Sequence, residues 1–321
     1  MRATIRSASF SIAFPALGTV IEVKASGGPD DDLAAELARL TEHYEHLWST
    51  YRADSEISRL NAAAGGDWVR IHPDTEALLE QAMAWQEASG GAVTPLIGPL
   101  SRLWDVKSWL AELAAGLTPR LPSAEQVTRA RRLTHPDRLD LASGRARLGA
   151  GAALDLGGLA KGYIADRLAE VAGQQRNRVL VSVGTSSLAA TGSWRAGIRG
   201  LDGPSIAGII ELTDASLATS GDYLQRLPEL LGSRPVHHVI DPRTGYPATG
   251  PRQASVRCGD GVAAEAAATC LMVTGALPAG LSADWVTLGD EGVRTSPGLS
   301  SFTDGGDEGD GEGEEPVHRR P

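Results

Sequence analysis

The stretch DLGGLAKGYIAD, residues 155–166, decides how the chain is read. Upstream of it, residues 137–155 alternate as a β-hairpin around the turn Ser143-Gly144. Downstream, residues 159–172 carry a helical apolar pattern. Gly157 and Gly158 therefore form a corner between extended chain and helix. Glycines there let a ligand approach the backbone, and a helix N-terminus favours an anion. Lys161 lies in the first turn of that helix, in reach of an anionic oxygen. The spacing fits neither G-x-G-x-x-G nor the P-loop, and the same residues also read as a tight structural turn beside a surface lysine.

Working outward towards the N-terminus, Ser123 and Gln126 form a capping box that opens a short basic helix. A helix over residues 73–89 follows His72-Pro73-Asp74. Leu33, Leu37, Leu40, Tyr44, Leu47 and Trp48 recur at spacings of three and four behind Asp30, which predicts another helix. Residues 8–26 read as two strands broken at Pro15 and Gly18. Towards the C-terminus come a buried-type strand at Val179–Val183, further strands over 186–230, and a strand end at His237–Asp241 before the turn Pro242–Gly245. An alanine-rich helix over 262–276 and a last strand over 284–288 complete the body. Strands and helices do not alternate strictly, so the expected class is α+β, with mixed sheets and packed helices in a single large domain over residues 1–295. From residue 296 to 321 the sequence is an acidic, Gly-rich tail of low complexity, expected to be disordered.

Much of the net charge of −10 sits in this tail, where residues 304–315 hold seven acids and no base. The remainder is only mildly acidic and shows no basic stripe of the kind that binds nucleic acid. The two cysteines, Cys258 and Cys270, lack metal-type spacing and make no disulfide framework. No window is apolar enough for a transmembrane helix. The N-terminal residues show neither a signal-peptide core nor a lipobox cysteine, so the expected location is cytoplasmic.

Three further constellations carry chemistry. His238 and Asp241, three apart at a strand end, read as a base with a neighbouring carboxylate, or as a packed histidine and a turn-capping acid. His237 should point the other way. Glu265 and Thr269, at i and i+4 on one helix face, offer two oxygens that suit Mg2+, or are an ordinary helix acid and threonine. The polar run from Ser49 to Asn61, with Tyr51, is either a ligand loop or a solvated helix end.

Taken in order, Ala16–Thr19, Ser49–Asn61, Pro95–Leu100 with Leu103-Trp104, Asp155–Asp166, Val181–Gly184, Ser216–Tyr223, His238–Gly245 and Glu265–Thr269 resemble the ApbE family of FAD:protein FMN transferases. The resemblance spans residues 12–290. It implies a fold related to the T-fold, with FAD as substrate and its pyrophosphate on Mg2+. It also implies transfer of FMN to a Thr or Ser hydroxyl in a short motif of an acceptor flavoprotein, releasing AMP. On this resemblance Gly158, Glu265, Ala268 and Thr269 match the metal positions. Leu17, Tyr51, Asn61, Ala92, Val93, Thr94, Asp155, Lys161 and Val239 match cofactor or near-metal contacts. Lys161 would face the pyrophosphate, and His238 is the candidate base for the acceptor hydroxyl.

The sequence departs from the common family pattern at three places. Glu265 stands where Asp is usual, Thr94 where Asp is common, and Leu17 where Met is common. The extra methylene of Glu265 displaces its carboxylate by about 1.5 Å unless the rotamer adjusts. Two competing readings follow: an FAD pyrophosphatase that uses water as acceptor, and a flavin-binding protein without catalysis.

Overall fold

The structure, a computed structural model, describes residues 9–223, 225–227, 236–299 and 303–304. Its centre is an eight-stranded antiparallel sheet whose spatial order is also chain order: Ser9–Ala16, Thr19–Ser26, Val179–Val183, Ser187–Thr191, Ser216–Gly221, Gln253–Cys258, Asp284–Gly289 and Gly292–Thr295. The α+β class holds, and all strand pairings among the described residues are antiparallel rather than mixed.

Alternation along the strands sorts the side chains into two layers. Val179, Val181, Val183 and Ala189 enter the main core on one face, and Ala218, Ala254 and Val256 continue it. Leu188, Ala190, Leu217, Val286 and Leu288 face the other way. There they meet Ile198, Ile210 and Leu212 of a small sheet made by Ser193–Arg199, Ile206–Thr213 and Thr303–Asp304.

Two helices cover the first face. Ala160–Gly173 lies on strands Val179–Val183 and Ser187–Thr191, and Gly261–Thr274 lies on Ser216–Gly221 and Gln253–Cys258. The second of these is nearly all small and apolar, with Ala264, Ala266, Ala267 and Ala268 fully buried. A helix that is hydrophobic all round belongs in the interior. Asp260 caps it by accepting the N–H of Ala263 at 2.8 Å.

The expected helices form at Asp31–Trp48, Pro73–Ala88 and Ala124–Arg132, the last with the capping box of Ser123 and Gln126. The hairpin Leu139–Ala142/Arg145–Leu148 turns on Gly144. Two helices in the span after Pro95, Gly98–Leu103 and Val106–Ala114, were not read from the sequence. They build a second core around Trp104 and Trp109. Trp104 Nε1 donates to the Gly245 carbonyl at 2.8 Å, which ties this core to the turn after Asp241.

The folded body runs past the expected boundary at 295. Leu299 is buried in the core beneath the small sheet, the Ser296 hydroxyl accepts the N–H of Trp285 at 3.1 Å, and Thr303–Asp304 pairs with Ile206–Thr213. An apolar side chain and paired backbone groups hold this segment despite its polar composition. The other tail residues, 300–302 and 305–321, lie outside the described residues.

Candidate active site

The glycine corner is held from behind. Asn61 ends the short helix Glu56–Ala62, and its amide clamps the backbone of Leu154, donating to the carbonyl at 2.9 Å and accepting the N–H at 2.7 Å. The N–H of Asp155 donates to Pro95 O at 2.9 Å, which fixes the corner against the buried stretch Ala92–Thr94. Asp155 then folds its carboxylate over the turn and accepts the N–H of Gly157 at 3.0 Å. Gly157 and Gly158 are exposed, and the next residues turn into the helix that carries Lys161.

Lys161 points at the sheet. Its Nζ donates to Ser186 Oγ at 2.8 Å, Ser187 Oγ at 3.2 Å and Glu265 Oε1 at 3.1 Å. Ser187 Oγ also donates to Glu265 Oε1. One turn along the same helix, Thr269 Oγ1 lies 3.3 Å from Ser220 Oγ. Strand period accounts for both serines: Ser187 shares the parity of Ala189 and Ser220 that of Ala218, so both face the helices. The site is thus an acid, an ammonium and four hydroxyls between two helices and two neighbouring strands. Ala268 is buried in the same helical turn as Glu265 and Thr269.

Glu265 is only 2 % exposed. Burying a carboxylate costs several kcal/mol unless it is paired and hydrogen-bonded, and Lys161 with Ser187 meets that requirement. Lys161 remains about one-third exposed, with 30 % of its side chain open. The acid is therefore fixed and the ammonium can turn towards solvent or a ligand. Every hydrogen bond to Glu265 among the described residues falls on Oε1.

His238 is exposed and His237 is buried, so the two rings point apart as strand geometry requires. Loss of hydration is the main influence on His238, and the charges of His237 and Lys161 add to it; all three lower its pKa. Burial likewise lowers the pKa of His237, whose Nε2 lies 2.9 Å from the Ala248 carbonyl.

Asp241 does not join His238. Its carboxylate grips Arg243 at 2.9 and 3.0 Å, accepts that residue's N–H at 2.9 Å, and its carbonyl accepts the N–H of Gly245 at 2.7 Å. The expected base–carboxylate pair is corrected accordingly: this acid holds the Pro242–Gly245 turn, because Arg243 and the turn amides take up both oxygens.

The remaining expected contacts are spread around this centre. Leu17 and Gly18 form a two-residue turn with φ of 56° and 68°, and the N–H of Leu17 donates to Glu45 Oε1 at 2.9 Å. A leucine in left-handed conformation is uncommon, and the strain is retained here. Tyr51 is 87 % exposed, with Lys107 Nζ 5.7 Å from its ring centre. Thr94 is buried and accepts the N–H of Leu96 at 3.1 Å. Val239 is half-buried against the main core. Sequence reasoning missed Ser186, Ser187 and Ser220 as site residues; their signal was a Gly-Thr-Ser-Ser turn leaving a buried strand and a serine beside Gly221.

Fold and site together define a single α+β domain whose helices bring an acid, a lysine and hydroxyls to one face of an antiparallel sheet. The family model described as "ApbE family" matches residues 17–282, and the chain belongs to that family. It is 32 % identical over 307 residues to an FAD:protein FMN transferase of Treponema pallidum, covering 85 % of this chain and 80 % of the relative. It is 30 % identical over 281 residues to an FAD:protein FMN transferase of Vibrio cholerae, covering 81 % and 80 %. The solved structure of flavin transferase ApbE from Vibrio cholerae superimposes with a TM-score of 0.77 at 25 % identity, over 92 % of this chain and all of that one. Among the described residues no helix is long and apolar enough to cross a membrane.

Proposed function

We propose that this protein is an FAD:protein FMN transferase, acting on a Thr or Ser hydroxyl of an acceptor protein and releasing AMP. The carrying observation is the contact of Lys161 with the buried Glu265, one helical turn from Thr269, beside an exposed glycine corner. Such a constellation handles a polyanion: Lys161 is a mobile cation for the pyrophosphate, and the acid and hydroxyl offer hard oxygen donors.

The residues present fit Mg2+. Glu265 and Thr269 supply carboxylate and hydroxyl oxygen, Oε2 of Glu265 has no hydrogen bond among the described residues, and neither donor is nitrogen or sulfur. When bound, the ion would neutralise pyrophosphate charge and polarise the phosphorus. With Glu in place of the commoner Asp, the longer arm reaches Lys161 and Ser187, so cation and lysine share one acid.

In the proposed reaction the acceptor hydroxyl oxygen attacks the FMN-side phosphorus of FAD. The bond from that phosphorus to the bridging oxygen breaks, and AMP leaves with that oxygen. The hydroxyl proton passes to the neutral ring of His238, whose lowered pKa keeps it unprotonated at neutral pH. Lys161 moves from Glu265 to the phosphate oxygens and balances the charge that develops on AMP.

The test is incubation of the protein with FAD and Mg2+, with and without a peptide bearing an acceptor threonine, following AMP and the peptide mass. AMP together with an FMN-sized gain supports transfer. AMP in both mixtures without a mass gain replaces transfer by FAD hydrolysis. FAD binding without AMP in either mixture leaves a flavin-binding protein.

A further inference from the structure

On the side of the Asp31–Trp48 helix that meets the start of Pro73–Ala88, three side chains converge outside the site described above. His43 Nε2 lies 3.8 Å from Asp74 Oδ2, and His72 Nδ1 lies 3.7 Å from the same oxygen. One donor atom from each of the three residues falls within a 4.8 Å span. The two imidazoles stand edge to face with centres 4.9 Å apart. The side chains are 41 %, 39 % and 31 % exposed, so solvent reaches all three.

Asp74 is oriented for this task. Its Oδ1 accepts the hydroxyl of Tyr163 at 3.2 Å, which turns Oδ2 towards the histidines. Tyr163 is itself held edge-on by Tyr44 and Trp48, with ring centres at 5.7 and 5.1 Å. The backbone N–H of His72 is fixed on Glu56 at 3.1 and 2.9 Å. A carboxylate braced from behind and two histidines on separate helical segments make a preorganised donor set.

We propose that His43, His72 and Asp74 form a second cation site, for a borderline divalent ion of the Zn2+, Co2+ or Ni2+ class. Two imidazole nitrogens and one carboxylate oxygen suit these ions, whereas Mg2+ prefers an all-oxygen set such as Glu265 and Thr269. Ligands about 2.1 Å from Zn2+ in a tetrahedron stand about 3.4 Å apart, so each histidine–carboxylate distance closes by about 0.4 Å or less, and the two imidazole donors, within 4.8 Å of each other, close by up to about 1.4 Å through side-chain rotation. Exposure leaves the fourth position to water. His72 Nδ1 now accepts the N–H of Asp74 at 3.1 Å, and coordination exchanges that helix-capping bond for the metal. The ion would staple the Asp31–Trp48 helix to the start of Pro73–Ala88 and, through Asp74, to Tyr163.

The experiment uses the full chain, stripped with a chelator and then held in excess Mg2+ and FAD, so that the Glu265 region is filled. Zn2+ binding is measured by competition with a chromogenic chelator, and Co2+ by its visible absorption. The wild type should take up one Zn2+ that His43→Gln and Asp74→Asn each bind at least about tenfold more weakly. Zn2+ should raise the Tm of the wild type by a few degrees and leave that of His43→Gln unchanged. Equal stoichiometry and affinity in wild type and both folded variants would overturn the site, as would a wild type that binds no Zn2+.

Discussion

Gly162 and Gly261 lie in backbone contact where the two helices over the sheet cross. A methyl group on Gly162 would sit 2.1 Å from the Gly261 carbonyl oxygen, and one on Gly261 2.4 Å from that of Gly162. A Cβ on Gly162 would also meet Glu265 Cγ at 2.9 Å. Removing both side chains at the crossing is what lets Lys161 reach Glu265. Gly162→Ala must push the helices apart, since backbone cannot yield as a flexible side chain can. We expect a loss of about 1–3 kcal/mol of stability and of most AMP release, read by denaturant unfolding and the FAD assay. Wild-type activity in a folded Gly162→Ala would refute this dependence on close approach.

The ion pair at the site is asymmetric in burial. Lys161→Met strands a carboxylate that is 2 % exposed, whereas Glu265→Gln leaves an ammonium that turns to water. Lys161→Met should therefore cost more stability, on the order of 2–4 kcal/mol, than Glu265→Gln, at about 1 kcal/mol. Mg2+ should restore part of the loss in Lys161→Met only. Thermal unfolding of both variants with and without Mg2+ decides it, and equal losses would contradict the asymmetry.

His238 gives a pH test. Its lowered pKa places loss of the neutral base below the ordinary histidine value of 6.5. The acid limb of kcat/KM should fall below pH 6.5, and His238→Asn should lower kcat by about 10²–10⁴-fold. A limb centred at or above 6.5 would show that His238 is not the group titrating.

His237 should appear in stability rather than rate. Burial lowers its pKa in the folded protein, so the unfolded chain binds the extra proton. Its contribution is complete above the unfolded value of 6.5 and is lost as pH falls below it, by up to about 1.4 kcal/mol per pH unit until the folded pKa is reached. Comparing urea midpoints of wild type and His237→Gln between pH 7.5 and 5 reads this out: the wild type should have the steeper decline.

Asn61 acts through the chain it holds. Asn61→Ala leaves both backbone groups of the buried Leu154 without their partner, at about 1–3 kcal/mol. Because Leu154 precedes the glycine corner, KM for FAD should rise with it. A stability loss with KM unchanged would confine Asn61 to packing.

The helices at Asp31–Trp48, Pro73–Ala88, Ala160–Gly173 and Gly261–Thr274 were legible from local signals: apolar spacing and a cap behind Asp30, the His72-Pro73-Asp74 start, the glycine corner at 157–158, and the alanine-rich composition of the last. Lys161, Glu265 and Thr269 stood out as candidates by their place beside the glycine corner and their i, i+4 spacing, and the order of the motifs that contain them suggested the family. Asp241 was open between two tasks until its contact with Arg243 appeared, since a turn cap and a catalytic acid look alike in sequence. The helices Gly98–Leu103 and Val106–Ala114 escaped because they are short and their apolar residues serve a core shared with the distant segment Val236–Gly245.

The amino-acid sequence by itself determined most of the long helices and strands, the α+β class and the family, because period, capping and motif order are properties of neighbours along the chain. Only the tertiary structure decided that Lys161 and Glu265 share one contact, that Ser187 and Ser220 join them, and that His43, His72 and Asp74 converge. Those meetings depend on strand register and on how closely two helices cross, which are set by packing between residues far apart in the chain.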